Sequence, residues 1–341
     1  MKAAVLRDYY KMQIEEVPEP EPAPNEVKIR VSVAGICGSE MHAYKGTHPF
    51  RRPPSIQGHE MAGDIVAVGS EVHRFAAGDR VTLDPQRVCG VCEDCVSGHP
   101  NSCTKKIMLG VQEWPGAFGQ YIVAPEQQIY KLPDHVSYEE GSMVEPLSVG
   151  VHAVRQAGVR HGSSVLILGG GTIGLCALAG ARAAGAAQTI VTDAFDFNLD
   201  VAKKLGATAT VNVRRQDVNQ VVAEATGGKG VDAALVAVGV PAVVNQAIAA
   251  VKRRGEVVLI GLFHEPISIQ DSFAIISAER VLRGSQTYNP EDVQLALDLI
   301  STGQVDVKAM ITHQLPIDDA QHAFEMVDKR LEDCVKVILK H

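Results

Sequence analysis

The sequence predicts an α/β protein of two domains, a β-rich unit and a doubly wound parallel sheet of six strands. In residues 1–149, short β-branched runs are separated by Gly, Pro and Asp, which is typical of an irregular all-β unit. From residue 150 onward, apolar strands alternate with helices, the pattern that produces a parallel sheet. We therefore expect a second domain at residues 150–285, with residues 286–341 completing the first.

The individual elements follow from the apolar runs and from the turn residues between them. Strands of the first domain are predicted at residues 27–33, 65–68, 80–83 and 121–124. Strands of the second domain are predicted at residues 165–168, 189–192, 209–212, 232–236, 256–260 and 281–284, with helices at 172–184, 198–205, 218–225 and 242–252. A helix at 290–302 and a terminal strand at 335–339 are expected to return to the first domain.

Composition restricts the class of partner. Of the 341 residues, 46% are apolar and 21% are charged, and the net charge is −8. This acidic balance argues against binding to nucleic acid. No apolar stretch is long enough to span a bilayer, and the first residues lack the pattern of a signal peptide. We expect small-molecule chemistry in the cytoplasm, without a membrane or nucleic-acid partner.

Four of the seven cysteines, Cys89, Cys92, Cys95 and Cys103, lie within fifteen residues. In a reducing compartment such a cluster binds metal more often than it forms disulfides. Four thiolates complete a tetrahedral shell around Zn²⁺ and leave no position for substrate. An iron–sulfur cluster also takes four cysteines, but this spacing differs from the common ferredoxin patterns. The run predicts a structural zinc site, with the chemistry located elsewhere.

A glycine-rich turn marks a dinucleotide site in the second domain. Gly169-Gly170-Gly171-Thr172-Ile173-Gly174 follows an apolar strand and opens a helix, and Asp193 ends the next strand. Glycines let a pyrophosphate approach the helix N-terminus, and an acidic residue accepts the ribose hydroxyls. Asp193 would repel a 2′-phosphate, and Ala194-Phe195 offers no arginine to receive one, so NAD is favoured over NADP. FAD or S-adenosylmethionine could share the glycine turn.

A second, open metal site is predicted in the first domain. Cys37 and His59 offer a thiolate and an imidazole outside the four-cysteine run, and both are good zinc ligands. Glu60 follows His59 directly, and Glu145 lies in an apolar stretch. A carboxylate among apolar neighbours needs a cation or strong hydrogen bonds to remain charged. Glu145 is therefore either a ligand or the residue that holds a metal-bound water.

These motifs make the chain similar to the zinc-dependent medium-chain dehydrogenases of the alcohol dehydrogenase superfamily, in particular to their polyol branch. The similarity covers nearly the whole chain. It includes the four-cysteine run, the glycine turn, Gly58-His59-Glu60-x-x-Gly63 continued to Gly69, Gly78-Asp79-Arg80-Val81 and Glu145-Pro146. The resemblance implies a GroES-like catalytic domain, an inserted Rossmann domain, two zinc ions per subunit, NAD and a homo-oligomer, either dimer or tetramer.

The resemblance also implies roles for individual residues. Cys37 and His59 become ligands of the catalytic zinc, and Glu60 and Glu145 take the carboxylate roles, with the direct ligand left open. Ser39 and His42 match the proton-relay positions of the family. Zinc lowers the pKa of a substrate hydroxyl, the relay carries the proton to solvent, and hydride passes to NAD in the interdomain cleft. Glu40 stands where relatives usually carry Asp and is expected to orient His59.

The substrate is the least determined part. A polyol, sugar alcohol or sugar acid is expected, and the alternatives are threonine and butanediol. Thr287-Tyr288 lacks the arginine that sorbitol dehydrogenases place there, which counts against strict sorbitol activity. A zinc-free quinone reductase would lack Cys37 and the four-cysteine run, and a catalytically silent structural or regulatory relative is the alternative from another class. The polar and aromatic candidates for substrate contact are Ser39, Tyr44, His48, Gln112, Glu113, Trp114, Phe118 and residues 286–289.

Overall fold

The structure is a computed structural model that describes residues 1–341, and it divides the chain into two compact units. Unit 1 contains Met1–Glu145 and Ile311–His341, and unit 2 contains Pro146–Met310. The sequence analysis placed these boundaries at residues 149/150 and 285/286. The second boundary lies well beyond the expected position because the helix after residue 290 belongs to unit 2.

The first part of unit 1 is β-rich, with short helices between strands. Its strands are β1 (Lys2–Asp8), β2 (Lys11–Glu16), β3 (Glu26–Gly35), β4 (Ser55–Ile56), β5 (Glu60–Val68), β6 (Arg80–Leu83), β7 (Gln86–Arg87), β8 (Ile107–Met108), β9 (Tyr121–Pro125) and β10 (Ile129–Lys131). Its helices are α1 (Gly38–Tyr44), α2 (Glu93–Val96) and α3 (Tyr138–Ser142), with 3₁₀ turns at Pro100–Ser102 and Glu126–Gln128. All four strands predicted here are present, and the sequence analysis missed β1, β2, β10 and the two-residue strands β4, β7 and β8.

Unit 2 contains the doubly wound sheet. Its strands are β11 (Ser164–Leu168), β12 (Gln188–Asp193), β13 (Ala209–Asn212), β14 (Val231–Val236), β15 (Val251–Leu259) and β16 (Val281–Gly284). The helices are α4 (Val144–Gln156), which begins at the unit boundary, α5 (Thr172–Ala183), α6 (Asp196–Lys204), α7 (Val218–Thr226), α8 (Pro241–Ala250), α9 (Ser272–Ala278) and α10 (Pro290–Ser301), with a 3₁₀ turn at Lys308–Met310. The strand order is β13-β12-β11-β14-β15-β16, and all neighbours are parallel. The predicted six-stranded parallel sheet is confirmed.

The end of the chain returns to unit 1. It contains β17 (Ile311–Pro316), α11 (Ala320–Lys329) and β18 (Lys336–Lys340), with a 3₁₀ turn at Ile317–Asp319. The main sheet has the order β10-β6-β5-β3-β18-β17, and β9 also pairs with β3. The terminal strand thus returns to the first unit, as predicted, and there it is hydrogen-bonded to the long strand β3. None of the helices in the structure combines the length and apolar character needed to cross a membrane.

Helix α10 was expected in the first domain, but the buried carboxylate of Asp292 links it to α4 in unit 2. The carboxylate of Asp292 is fully buried, lies 2.7 Å from His152 Nδ1 and accepts the backbone N–H of Asn289 at 3.0 Å. Arg155 donates to its other oxygen. His152 and Arg155 both lie on α4. A buried carboxylate needs such partners, and here they lie on another helix. The sequence pattern of α10 alone therefore does not reveal where the helix packs.

This cluster predicts a pH-dependent stability. Burial alone would raise the pKa of Asp292, but His152, the Asn289 N–H and Arg155 outweigh it and lower the pKa. A lowered carboxyl pKa stabilises the fold above the unfolded value, near 4, and the contribution is lost as the pH falls through the folded pKa. Asp292→Asn should therefore lower the free energy of unfolding by about 3 kcal/mol at pH 7. Urea unfolding should show that this difference shrinks below about pH 4.

The matched control is Glu291→Gln, because Glu291 is an exposed neighbour 3.5 Å from Arg155. It should change stability by less than about 0.5 kcal/mol. An Asp292→Asn protein as stable as the parent at pH 7 would show that the cluster does not hold α10.

Candidate active site

The four-cysteine lobe has the geometry of a closed metal shell. The sulfur atoms of Cys89, Cys92, Cys95 and Cys103 all lie within 4.8 Å of one another. Cys103 Sγ is 3.6 Å and Cys95 Sγ is 3.9 Å from Cys89 Sγ. A tetrahedral ion with Zn–S bonds of about 2.3 Å requires sulfur separations of about 3.8 Å. Backbone N–H groups of Val91 and Cys92 lower the pKa of Cys89 to about 6, which favours a thiolate there, whereas burial and the neighbouring thiols raise the pKa of Cys95 to about 12.

Cys37 of the predicted open site is positioned by the first turn of α1. It is the N-cap residue of this helix, and Glu40 Oε2 accepts its backbone N–H at 2.9 Å. Glu40 is fully buried. Burial alone would raise its pKa, but His59, Arg51 and the Cys37 N–H lower the pKa to about 2. An ionised carboxylate therefore lies directly behind the thiol of Cys37.

His59 belongs to both groups of potential metal-binding residues in this region. Its Nδ1 is 2.5 Å from Glu40 Oε1. One group consists of Cys37, Glu40 and His59, and the other of His59, Glu60 and Glu145, with all atoms of each group within 4.8 Å. Burial would lower the pKa of His59, but Glu40 and Cys37 outweigh it and raise the pKa. Metal binding at His59 must displace that proton.

Glu60 has one carboxylate oxygen paired and one without a partner. Lys336 Nζ donates to Glu60 Oε2 at 2.5 Å and to the carbonyl of Ile36 at 3.1 Å. Glu60 Oε1 is buried and has no hydrogen-bond partner in the protein. Gly35, its cross-strand neighbour on β3, has no room for a Cβ, which would overlap the carboxylate. An unpartnered buried oxygen is costly, so it is the atom through which Glu60 could bind a metal ion.

The donor set fits a divalent cation. When the Cys37 thiol is ionised and His59 is neutral, the anions are Cys37, Glu40, Glu60 and Glu145. The buried cations Arg51 and Lys336 lie against two of these, at Glu40 and Glu60. Thiolate, imidazole and carboxylate side chains of these kinds are the ligands that Zn²⁺ takes in proteins. The oxygens of Glu40 already accept from Cys37, His59 and Arg51, whereas Glu60 Oε1 accepts nothing.

Ser39 and His42 lie three residues apart on α1 and therefore on one face of the helix. The hydroxyl of Ser39 is buried without a protein partner. His42 is half-buried, with Nδ1 3.3 Å from Thr47 Oγ1, and Thr47 is exposed. The two side chains thus extend from a buried hydroxyl to an imidazole near the protein surface.

The glycine turn has the predicted form in unit 2. Gly169 has a φ of +107°, a positive backbone angle that glycine adopts more readily than other residues. A Cβ on Gly174 would overlap the carbonyl oxygen of Gly169, whereas the space beside Gly171 is open. Gly171 is the N-cap of α5, and Thr172 and Ile173 form its first turn. A phosphate can therefore approach the N-terminus of α5.

Asp193 lies at the end of β12 beside this turn. Its carboxylate accepts the backbone N–H of Gly170 at 2.8 Å and that of Phe195 at 2.9 Å. The structure also brings Arg214, which follows β13, to 4.8 Å from the centre of the Phe195 ring. The sequence analysis saw no arginine near Asp193 because Arg214 is 21 positions away along the chain. Strand pairing of Asp193 with Asn212 places Arg214 there.

The candidates for substrate contact divide into core and accessible residues. Tyr44, Trp114, Phe118 and Tyr288 are at most 2% exposed and belong to the core. His48 is also buried, and its Nδ1 accepts the backbone N–H of Arg51. Burial and Arg51 lower the pKa of His48 to about 4. Gln112 and Glu113 line a cavity of about 300 Å³ in unit 1.

Three site residues were missed from the sequence: Arg51, Arg214 and Lys336. Each is a cation that lies against a residue distant in the chain, at Glu40, Phe195 and Glu60. For Lys336 a signal was available, since a lysine within the apolar run 335–339 of a predicted strand needs a buried anion. The neighbours Arg51 and Arg52 carry no such signal.

Comparison with known proteins identifies both units. Residues 23–134 match the alcohol dehydrogenase GroES-like domain, and residues 172–302 match the zinc-binding dehydrogenase domain. The chain is 38% identical to the sorbitol dehydrogenase of Bacillus subtilis (strain 168), over 99% of this chain and 97% of that protein.

Two solved structures extend the comparison. The 2R,3R-butanediol dehydrogenase of Bacillus subtilis is 31% identical, with a TM-score of 0.91 over 100% of this chain and 99% of that chain. A putative zinc-binding dehydrogenase from Sinorhizobium meliloti 1021, bound to NADP, is 32% identical with the same TM-score and coverage.

The four-cysteine lobe predicts a structural role for its metal. Cys103→Ser should lower the zinc content of the purified protein by about one ion per chain. The thermal midpoint should fall by several degrees, because a closed site contributes its binding free energy to folding. Metal analysis and thermal unfolding measure both quantities.

Cys334→Ser is the control, because Cys334 lies outside all three groups of potential metal-binding residues. It should retain both metals and the parent midpoint. Full zinc content in the Cys103→Ser protein would contradict a closed four-thiolate site.

Proposed function

Because the chain belongs to the zinc-binding dehydrogenases of the alcohol dehydrogenase family, we propose that it oxidises a secondary alcohol of a polyol, sugar alcohol or sugar acid with NAD⁺ as hydride acceptor. Proteins of this family are oxidoreductases that act on CH–OH groups. The observation that carries the proposal is the group of metal-binding side chains around His59, in which the buried Glu60 Oε1 has no partner in the protein. Ketone reduction is the same reaction in reverse.

We propose Cys37, His59 and Glu60 as the ligands of a catalytic zinc, with Glu145 beside the remaining position. Glu60 Oε1 supports this choice because it has no protein partner. Glu145 is nearly buried and within 4.8 Å of the His59 and Glu60 donor atoms, so it can bind directly or hold a water. A zinc ion held here would lower the pKa of a substrate hydroxyl. Cys89, Cys92, Cys95 and Cys103 would hold the second, structural ion.

Ser39 and His42 are proposed to move the substrate proton. The protein uses none of the hydrogen-bonding capacity of the Ser39 hydroxyl. This hydroxyl can therefore accept a proton from a substrate hydroxyl while it donates its own. His42 is one helical turn further on and half-buried. An imidazole exchanges protons with water near neutral pH, so it can pass the proton to solvent.

NAD is proposed as the preferred dinucleotide because Asp193 faces the glycine turn. Its carboxylate can accept ribose hydroxyl groups and repels a 2′-phosphate. Arg214 works in the opposite direction, since its cation lies over Phe195 two residues beyond Asp193. Asp193 dominates because it contacts the turn itself through Gly170.

The relatives support the substrate class, and the absence of an arginine at Thr287-Tyr288 counts only against strict sorbitol activity. The similar sorbitol dehydrogenase supports a polyol. The similar butanediol dehydrogenase supports a short vicinal diol as the second candidate. Threonine oxidation and a catalytically silent relative are the remaining alternatives, and the intact donor set disfavours the latter.

We further propose a homo-oligomer, dimer or tetramer, in a reducing compartment such as the cytoplasm. Strand β16 forms an edge of the unit 2 sheet, and all four of its residues are exposed. Phe273 and Ile276 of α9 are 73% and 72% exposed. An uncovered edge beside apolar side chains can pair with a second copy. Thiolate ligands need a compartment that keeps cysteine reduced.

The direct test is a panel of polyols, sugar acids, butanediols and threonine with NAD⁺, read by NADH absorbance. Cys37→Ser should lower turnover more than a hundredfold, because losing a direct ligand exceeds the roughly 10–100-fold effect of outer partners. Its zinc content should fall to about one ion per chain while the thermal midpoint is largely retained. Absence of zinc from the parent, or no NAD-linked oxidation of any panel alcohol, would contradict the proposed function.

Cofactor preference is tested at Asp193. Asp193→Ser removes the carboxylate and leaves Arg214 beside the ribose site, so kcat/KM with NADP⁺ should rise about tenfold or more relative to NAD⁺. Arg214→Gln in the same background should reverse most of that gain. Initial rates with both dinucleotides measure the ratio. An unchanged ratio in Asp193→Ser would mean that another residue selects the cofactor.

A further inference from the structure

We propose that Arg51 is a positioning residue for the catalytic metal, acting through Glu40 on the ligands Cys37 and His59. The inference rests on the proposed function, because it presupposes a metal at these two residues. It adds a residue that neither metal group contains.

The carboxylate of Glu40 holds both ligands at once. Its Oε2 accepts the backbone N–H of Cys37 at 2.9 Å, and its Oε1 lies 2.5 Å from His59 Nδ1. A ligating histidine keeps its ring orientation by donating its other N–H to such a carboxylate. The position of Glu40 therefore sets the positions of the thiolate and the imidazole together.

Arg51 fixes Glu40 from the opposite side. Its Nη1 is 3.4 Å from Glu40 Oε1 and donates to the carbonyl of Gly110 at 3.2 Å. Its Nη2 donates to the carbonyl of Leu109 at 3.1 Å. The side chain of Arg51 is only 3% exposed. A planar guanidinium can make these three contacts in one orientation, which an ammonium group cannot.

The residues around Arg51 leave space for its side chain and hold it in place. A Cβ on Gly110 would lie 2.6 Å from Arg51 Nη1, and Gly110 has a φ of +90°. Leu109 is fully buried, so the carbonyl groups that hold Arg51 belong to a packed segment. The backbone N–H of Arg51 donates to His48 Nδ1 at 3.1 Å. The main chain and both terminal nitrogens of Arg51 are therefore anchored, and its buried Nε has no partner in the protein.

Charge gives the second reason. A fully buried carboxylate requires a partner of opposite charge. His59 is neutral when it ligates a metal, so Arg51 is then the cation that directly contacts Glu40. Without it, Glu40 would keep only hydrogen bonds and would no longer be held toward both ligands.

The test uses Co²⁺ in the catalytic site of the full chain, with zinc kept in the four-cysteine lobe. Co²⁺ accepts the same ligands, and its visible absorption reports the Cys37 thiolate and the geometry of the site. Arg51→Gln should weaken Co²⁺ binding about tenfold, in the range for residues that support a ligand, and should change the absorption spectrum. Titration against a competing chelator measures the affinity. Unchanged or tighter Co²⁺ binding would overturn the proposal.

Two controls separate positioning from a general structural effect. Arg52→Gln changes the adjacent exposed arginine, which donates to the carbonyl groups of His48 and Pro49, and it should keep the parent Co²⁺ affinity. Glu40→Gln should weaken binding by itself, and adding Arg51→Gln should then cost less than about twofold more. Fully additive losses would show that Arg51 does not act through Glu40.

A third variant covers the case in which Arg51→Gln does not fold. Arg51→Lys keeps the charge and should lose about threefold in affinity, and this loss should also vanish in the Glu40→Gln background. A loss that persists in that background would overturn the proposal. A parent protein without a Cys37-dependent Co²⁺ spectrum would instead refute the metal site, and with it the proposed function.

Discussion

Carboxylates held away from water impose the main constraint on unit 1. Glu40 and Glu60 are fully buried, and Glu145 nearly so, and each would be unstable as an anion without a compensating cation. Much of the local architecture can be understood from this requirement. Strand β18 brings Lys336 beside β3 and Glu60, Gly35 leaves space for the Glu60 carboxylate, and Gly110 leaves space for Arg51. At the proposed metal position, Glu60 Oε1 is left without a partner in the protein.

The two proposed metal sites are assembled in different ways. In the four-cysteine lobe, the sulfur spacing and the backbone N–H groups around Cys89 prepare a closed shell from residues near one another in sequence. Around His59, the donors come from α1, the start of β5 and the start of α4, and their charges are balanced by residues from further segments. A local site depends on one loop, whereas the open site depends on the complete fold of its unit. Mutations at a distance are therefore expected to affect the open site more.

Unit 2 shows the same separation between local pattern and distant contact. The glycine turn and the parallel strands were predicted, since each strand of the sheet is a nearly continuous apolar run and each turn carries its own signal. Arg214 was not, because its approach to Phe195 follows from the pairing of β12 with β13. Helix α10 was assigned to the wrong unit for a similar reason. Its own sequence predicts the helix, but the buried contact of Asp292 with α4 decides where it packs.

The sequence by itself determined the residue types and their local spacing: four clustered cysteines, a glycine turn followed by Asp193, and the ligand types at Cys37, His59, Glu60 and Glu145. Only the tertiary structure decided which charged residues serve them. Arg51 and Arg52 are adjacent and chemically identical, yet one is buried against Glu40 and the other is exposed. Lys336 and Lys340 share a strand, yet Lys336 lies against Glu60 and Lys340 pairs with Glu139 at the surface. The physical reason is that desolvation of a charge depends on what surrounds it in space, and that environment is created by segments far apart in the chain.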